Sequence, residues 1–223
     1  MKKYYLFILL AMTTLFAVSV SSCSESDNEE EEFPNWQKTN ETYYTQKYAD
    51  VKKLVDGGAT DWKLLRSWSL NDQVATHSYD YVLANVLNEG KGSGCPLYTD
   101  SVKVHYMGRL LPSRNYPEGY IFDKSWQDEY NLNTMQPRTF AVSGVVNGFA
   151  TALQHMHIGD RWLVYMPHQL AYGSSDTPGA AYSTLIFDVT LVGYFRKTSP
   201  SASAPAKNRT DAKSTADGYW VYE

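Results

Sequence analysis

The sequence predicts an α+β domain: a curved antiparallel β-sheet wrapped around one short α-helix, with a small helical extension on its N-terminal side. Two observations predict it. Segments of alternating or continuous apolar character recur between residues 79 and 195, the mark of strands. Among them stands one short helical repeat, Val146, Phe149 and Leu153 at i, i+3 and i+7, with Ala150 and Ala152 between.

Taken in chain order, residues 1–22 read as a signal peptide. Lys2 and Lys3 precede an apolar run from Leu6 to Val20, shorter than the roughly 20 residues a membrane-spanning helix needs. Val20-Ser21-Ser22-Cys23 resembles a bacterial lipobox, which implies lipidation of Cys23 and an exported, lipid-anchored protein, expected at the outer membrane. Ordinary cleavage near Ser22 with an incidental Cys23 is the alternative. Residues 23–35 read as an acidic tether. Glu29 to Glu32 form a like-charge block that cannot bury apolar area. The block also resembles the acidic signal that sends some Bacteroidetes lipoproteins to the cell surface.

Residues 36–76 are expected to form a helical extension packed on the domain behind it. Asn40 is a candidate helix cap, and Tyr44, Tyr48, Val51 and Val55 share one helical face. Gly57-Gly58 would end that helix. Trp62, Leu64, Leu65, Trp68 and Leu70 are too apolar for a free linker. A helix this short favours a monomer over a dimerisation arm.

The main domain is expected over residues 77–195. Tyr79 to Leu87 reads as a largely buried strand, and Glu89 to Gly94 as a flexible loop. Val102, Val104 and Tyr106 alternate with Lys103 and His105, which predicts a strand with one wet face. Thr139–Val142, Arg161–Met166 and Ser183–Phe195 are the remaining strands. Residues 196–223 are expected to be a flexible tail, linker-like over Ser199–Ala206, with an aromatic end at Gly218–Tyr222 whose docking the sequence leaves open.

Composition narrows the functions. The formal charge is −4, and removal of residues 1–22, with two lysines and no acids, makes it −6. An acidic chain without a basic cluster excludes nucleic acid as a partner. With Cys23 acylated, Cys95 has no intramolecular partner, so no disulfide is expected. His105, His155, His157 and His168 lack the cysteine-rich four-ligand spacing of structural zinc, so neither metal nor other cofactor is expected. No Gly-x-Ser-x-Gly elbow and no phosphate-binding glycine loop is present.

The second half carries an ordered series: Val104-His105-Tyr106-Met107-Gly108, Ile121-Phe122-Asp123-Lys124-Ser125, Val145-Val146-Asn147-Gly148-Phe149, Ala171-Tyr172-Gly173, and Ser183-Thr184-Leu185-Ile186-Phe187-Asp188-Val189. In this order the stretches closely resemble the FKBP family, the macrolide-binding peptidyl-prolyl isomerases. The resemblance implies the same FKBP-like curved sheet and a rotamase acting on proline-containing polypeptides, with macrolides as inhibitors. It implies pocket walls at Tyr106, Phe122 and Phe187, a hydroxyl donor at Tyr172, and an acid at Asp123 facing the substrate carbonyl. Val145 and Val146 match the family's Val-Ile pair, with the Val146 N–H holding a substrate carbonyl. Phe149 stands where the family usually has tryptophan on the pocket floor, and Arg138 where it has a pocket aromatic. Loops at Arg109–Tyr120, Phe140–Val145 and Ser174–Tyr182 also differ in length. A non-catalytic chaperone or surface binding module on the same scaffold is the second reading.

Overall fold

The computed structural model describes residues 31–197 and 218–222. The signal peptide, Cys23, most of the acidic tether and the Ser199–Ala206 linker lie outside the described residues. Among the described residues the chain forms two α-helices, α1 (Trp36–Asp56) and α2 (Asn147–Leu153), and eight strands. In order these are β1 (Trp62–Arg66), β2 (Tyr81–Asn88), β3 (Ser101–Arg109), β4 (Ile121–Lys124), β5 (Arg138–Ala141), β6 (Arg161–Met166), β7 (Leu185–Lys197) and β8 (Gly218–Val221).

All the strand pairs are antiparallel. The sheet runs β1-β2-β6-β7-β3-β4, with β5 also on β3 and β8 also on β7. Two central strands are therefore shared. Along one edge of β3 lie β5, opposite Ser101–Val104, and then β4, opposite Met107–Arg109. β7 carries β6 over Leu185–Thr190 and β8 over Tyr194–Lys197. This is the α+β architecture expected from the sequence.

The core lies between the concave sheet face and α2. Val82, Val102, Val104, Val164, Val189 and Leu191 are fully buried, and so are Ala150, Ala152 and Leu153 of α2. A helix of seven residues has little stability of its own; burial on almost every side holds it. Gly148 lets it approach closely, because a β-carbon there would lie 2.9 Å from the Met166 side chain and 3.1 Å from the Leu170 carbonyl oxygen.

Several expectations require correction. The helical extension contains β1, which pairs with β2 from Trp62↔Asn85 to Arg66↔Tyr81 and adds a strand to the sheet. Asn40 is not a cap: α1 starts four residues earlier, and Asn40 sits fully buried within it. The tether stops short of residue 35. Glu32 accepts hydrogen bonds from Ser113 Oγ (2.6 Å) and the Asn115 N–H (3.0 Å), and Phe33 packs on Trp36 with ring centroids 4.7 Å apart.

The expected wet face of β3 is covered by chain from far away. Lys103 lies under Trp220 and Tyr222 of the returning C-terminus, with Nζ 4.5 Å from the Trp220 ring centroid. His105 is 3% exposed; beside it in register is Thr190, whose hydroxyl bonds that of Tyr130 at 2.7 Å. The tail boundary at Arg196 also moves. β7 continues to Lys197, and Gly218–Val221 dock on it as β8 through backbone pairing, which removes that segment from the flexible tail. Gly57-Gly58 ends α1 as expected, Gly58 at φ 90° in the left-handed region that glycine accepts without strain.

Candidate active site

One cavity of about 230 Å³ opens beside α2, lined by Tyr106, Phe122, Asp123, Phe140, Gly144, Val145, Val146, Phe149, Tyr172 and Phe187. The eight pocket residues expected from the sequence motifs thus come together around a single space. Seven of them arrive from five places: Tyr106 on β3, Phe122 and Asp123 on β4, Val145 and Val146 before α2, Phe149 within it, and Phe187 on β7. Tyr172 follows the short 3₁₀ turn His168–Leu170.

Aromatic rings form the walls. Phe187 is central, with its ring 4.9 Å from Phe149, 5.5 Å from Phe122 and 6.2 Å from Tyr106. Phe140 meets Tyr106 edge-on at 5.4 Å. The volume is below the roughly 300 Å³ at the small end of ligand pockets. It suits a ring-sized group on a larger substrate.

The polar groups are few. Tyr106 donates its hydroxyl hydrogen to Asp123 Oδ2 at 2.5 Å. The strand register makes this possible, because Gly108 pairs with Asp123 across β3 and β4. Ser125 secures the same junction: its Oγ accepts from the Tyr106 N–H at 2.9 Å, and its own N–H bonds the Tyr106 carbonyl at 2.8 Å. Arg138 Nη1 lies 3.8 Å from the other Asp123 oxygen. In place of an aromatic wall, this chain therefore puts a half-exposed guanidinium beside the acid. Val146 stands at the N-cap position of α2 with extended backbone, and its N–H has no acceptor among the described residues.

Burial pushes the Tyr106 phenol well above its ordinary pKa of 10, and the hydrogen bond to Asp123 and that carboxylate's charge push it further. Tyr172 is raised by burial and then by the charge of Asp123. Both phenols remain protonated donors at neutral pH. For Tyr106 the folded chain keeps its proton above pH 10 while the unfolded chain loses it. The stabilisation is complete below the unfolded pKa and declines as pH rises past it. The stability advantage of wild type over Tyr106→Phe should therefore shrink between about pH 8 and about pH 11 in urea unfolding; a constant difference would contradict this.

Phe140 and Gly144 were not among the expected pocket residues, nor was the packing of Gly108 against the pocket rings. Phe140 lies on β5 opposite Val102, a pairing that alternation within a four-residue strand does not reveal. Gly108 was visible as the last residue of a motif, but its role depends on packing. A β-carbon there would sit 2.6 Å from Phe122 Cζ and 2.7 Å from Phe187 Cε1.

Residues 95–192 match the model of the FKBP-type peptidyl-prolyl cis-trans isomerase family. The chain carries an FKBP-type domain. The FKBP-type 22 kDa peptidyl-prolyl cis-trans isomerase of Escherichia coli is 36% identical over 109 residues, 48% of this chain and 47% of that protein. FkpA of the same organism, named an FKBP-type peptidyl-prolyl cis-trans isomerase, is 33% identical over 163 residues, 73% of this chain and 54% of its own length. The outer membrane protein MIP of Legionella longbeachae is 34% identical over 109 residues, 48% of this chain and 41% of that protein. The chain spans about half the length of these curated relatives. All ten lining residues of the cavity fall within the FKBP domain.

Proposed function

We propose that the FKBP domain is an active peptidyl-prolyl cis–trans isomerase that assists folding of exported proteins. The observation that carries this reading is the cavity: apolar walls, donors already oriented, and Asp123 held by Tyr106. The bond before proline rotates over a barrier of about 18–20 kcal/mol, because resonance holds the amide planar. A catalyst need only bind the twisted amide better than either planar form, and no covalent step is required.

The residues divide that work. The proline ring enters against Phe149 and Phe187, with Phe122 and Val145 at its sides. The Val146 N–H and the Tyr172 hydroxyl donate to substrate carbonyls flanking the rotating bond. Asp123, held by Tyr106, faces the carbonyl that turns. The phenol of Tyr106 is committed to this bond, which leaves Tyr172 as the hydroxyl donor. The same cavity would take the ring of a macrolide inhibitor.

The N-terminal sequence supports export with a lipid anchor at Cys23, and the printed name of the Legionella relative supports an outer-membrane setting. We read the chain as a monomer on this anchor. In a proline-peptide isomerisation assay, the mature chain should accelerate exchange. Tyr172→Phe and Asp123→Ala should each lower kcat/KM by roughly tenfold, the scale of one lost transition-state hydrogen bond. Suppression of aggregation that survives both substitutions, without any acceleration by wild type, would favour the non-catalytic chaperone.

A further inference from the structure

Tyr172 is a pocket residue that no strand carries. It lies on a loop between the 3₁₀ turn His168–Leu170 and the start of β7 at Leu185, and 42% of its surface is exposed. What fixes this loop lies largely in α1, outside the matched family segment.

At the far end of the loop, the Trp36 indole N–H donates to Ser183 Oγ at 2.7 Å, and that hydroxyl donates to the Ala180 carbonyl at 2.8 Å. One turn along α1, Asn40 Oδ1 accepts from the Thr184 N–H at 2.7 Å, while Asn40 Nδ2 donates to the Trp36 carbonyl at 2.8 Å. At the near end, Glu41 Oε1 is 3.4 Å from His168 Nε2. The His168 carbonyl accepts from the N–H groups of Ala171 and Gly173, on either side of Tyr172, and its ring meets that of Tyr182 edge-on at 5.2 Å. The loop is closed on itself where the Tyr182 N–H donates to the Gly173 carbonyl at 2.8 Å.

Asn40 is a poor choice for packing alone. A buried amide costs free energy unless its hydrogen-bonding groups find partners, and asparagine is a weak helix former. Here the fully buried side chain has both ends satisfied, one within the helix and one on the loop. A leucine of similar size would fill the space but could not hold the Thr184 N–H.

We infer that α1 is a positioning element for the active site: Trp36, Asn40 and Glu41 clamp both ends of the loop that carries Tyr172 and set where its hydroxyl lies. This rests on the isomerase reading. Misplacement of a catalytic group by about an ångström can cost on the order of a hundredfold in rate, so a clamp outside the pocket can govern turnover.

The test is a double-mutant cycle in the full mature chain, read as kcat/KM on a proline peptide, with folding checked by urea unfolding. Asn40→Leu should lower kcat/KM by about tenfold when Tyr172 is present and have almost no effect in a Tyr172→Phe background. Asn40→Asp, which keeps the acceptor for Thr184, should retain more activity than Asn40→Leu. If Asn40→Leu fails to fold, Trp36→Phe, which removes the bond to Ser183 together with part of the ring, takes its place in the same cycle. Equal losses in both backgrounds, or no loss in either, would overturn the clamp while leaving the isomerase intact. An inactive wild type would instead overturn the isomerase reading and the clamp with it.

Discussion

Replacing Gly108 by alanine is expected to abolish most isomerase activity while leaving a folded protein. The new β-carbon would stand 2.6 Å from the Phe122 ring and 2.7 Å from the Phe187 ring, closer than carbon atoms pack. Neither ring can swing away freely. Phe187 is held against Phe149 and Tyr106, and Phe122 against Phe187. Overpacking of this kind typically costs about 1–3 kcal/mol, less than the roughly 5–15 kcal/mol that holds a domain folded. The strain therefore emerges as displaced rings rather than as unfolding. Because walls must lie close to their productive positions, kcat/KM should fall by more than tenfold. Urea unfolding and the peptide assay on the same preparation check both halves. Retained activity would mean that the positions of Phe122 and Phe187 do not set the rate.

The second large effect concerns stability. Asp100 is 1% exposed and accepts from the Leu97 N–H at 2.8 Å, Arg196 Nε at 3.1 Å and Arg196 Nη2 at 2.8 Å. Arg196 also donates to the Cys95 carbonyl at 2.8 Å. This cluster ties the loop entering β3 to the far end of β7. Asp100→Ala removes the carboxylate, leaving the Leu97 amide without its acceptor and the guanidinium with the Cys95 carbonyl as its remaining one. Loss of these charge-assisted hydrogen bonds from a partly exposed arginine and a backbone amide costs about 2–3 kcal/mol. In a domain of this size, Tm should then fall by on the order of 5 °C. Activity per folded molecule should be unchanged, because Asp100 lies outside the pocket. Loss of less than about 1 kcal/mol would mean that the pair behaves as a surface ion pair.

The arginine in that cluster marks where sequence reading reached its limit. Arg196 looked like the start of a tail because the Ser- and Pro-rich stretch begins shortly after it. Its place in the sheet depends on Asp100, almost a hundred residues away, and on the aromatic terminus returning as β8. Local periodicity carries no information about such contacts. It did disclose β2, β6, β7 and α2, whose apolar positions recur at strand or helix spacing. β1 escaped because Trp62-Lys63-Leu64-Leu65-Arg66 is too short to show a pattern. Asn40 was misplaced because a polar residue near a helix start resembles a cap when its distant partner, Thr184, is unseen.

The pocket was more legible than its supports. Tyr106, Phe122, Val146, Phe149, Tyr172 and Phe187 each belong to a motif whose order points to one family, so their convergence was expected. The bond between Tyr106 and Asp123 depends on the register of β3 against β4, and the placing of Tyr172 on a helix before the domain. Neither is written in the motifs.

On the proposed function, this cavity turns proline bonds without covalent chemistry. Exchange spectroscopy on a short proline peptide, with and without catalytic amounts of the mature chain, measures that rotation directly. Cis–trans exchange should run well above the uncatalysed rate of once in tens to hundreds of seconds, suppressed by a macrolide and by Gly108→Ala. Exchange at the uncatalysed rate across several residues before proline would contradict it.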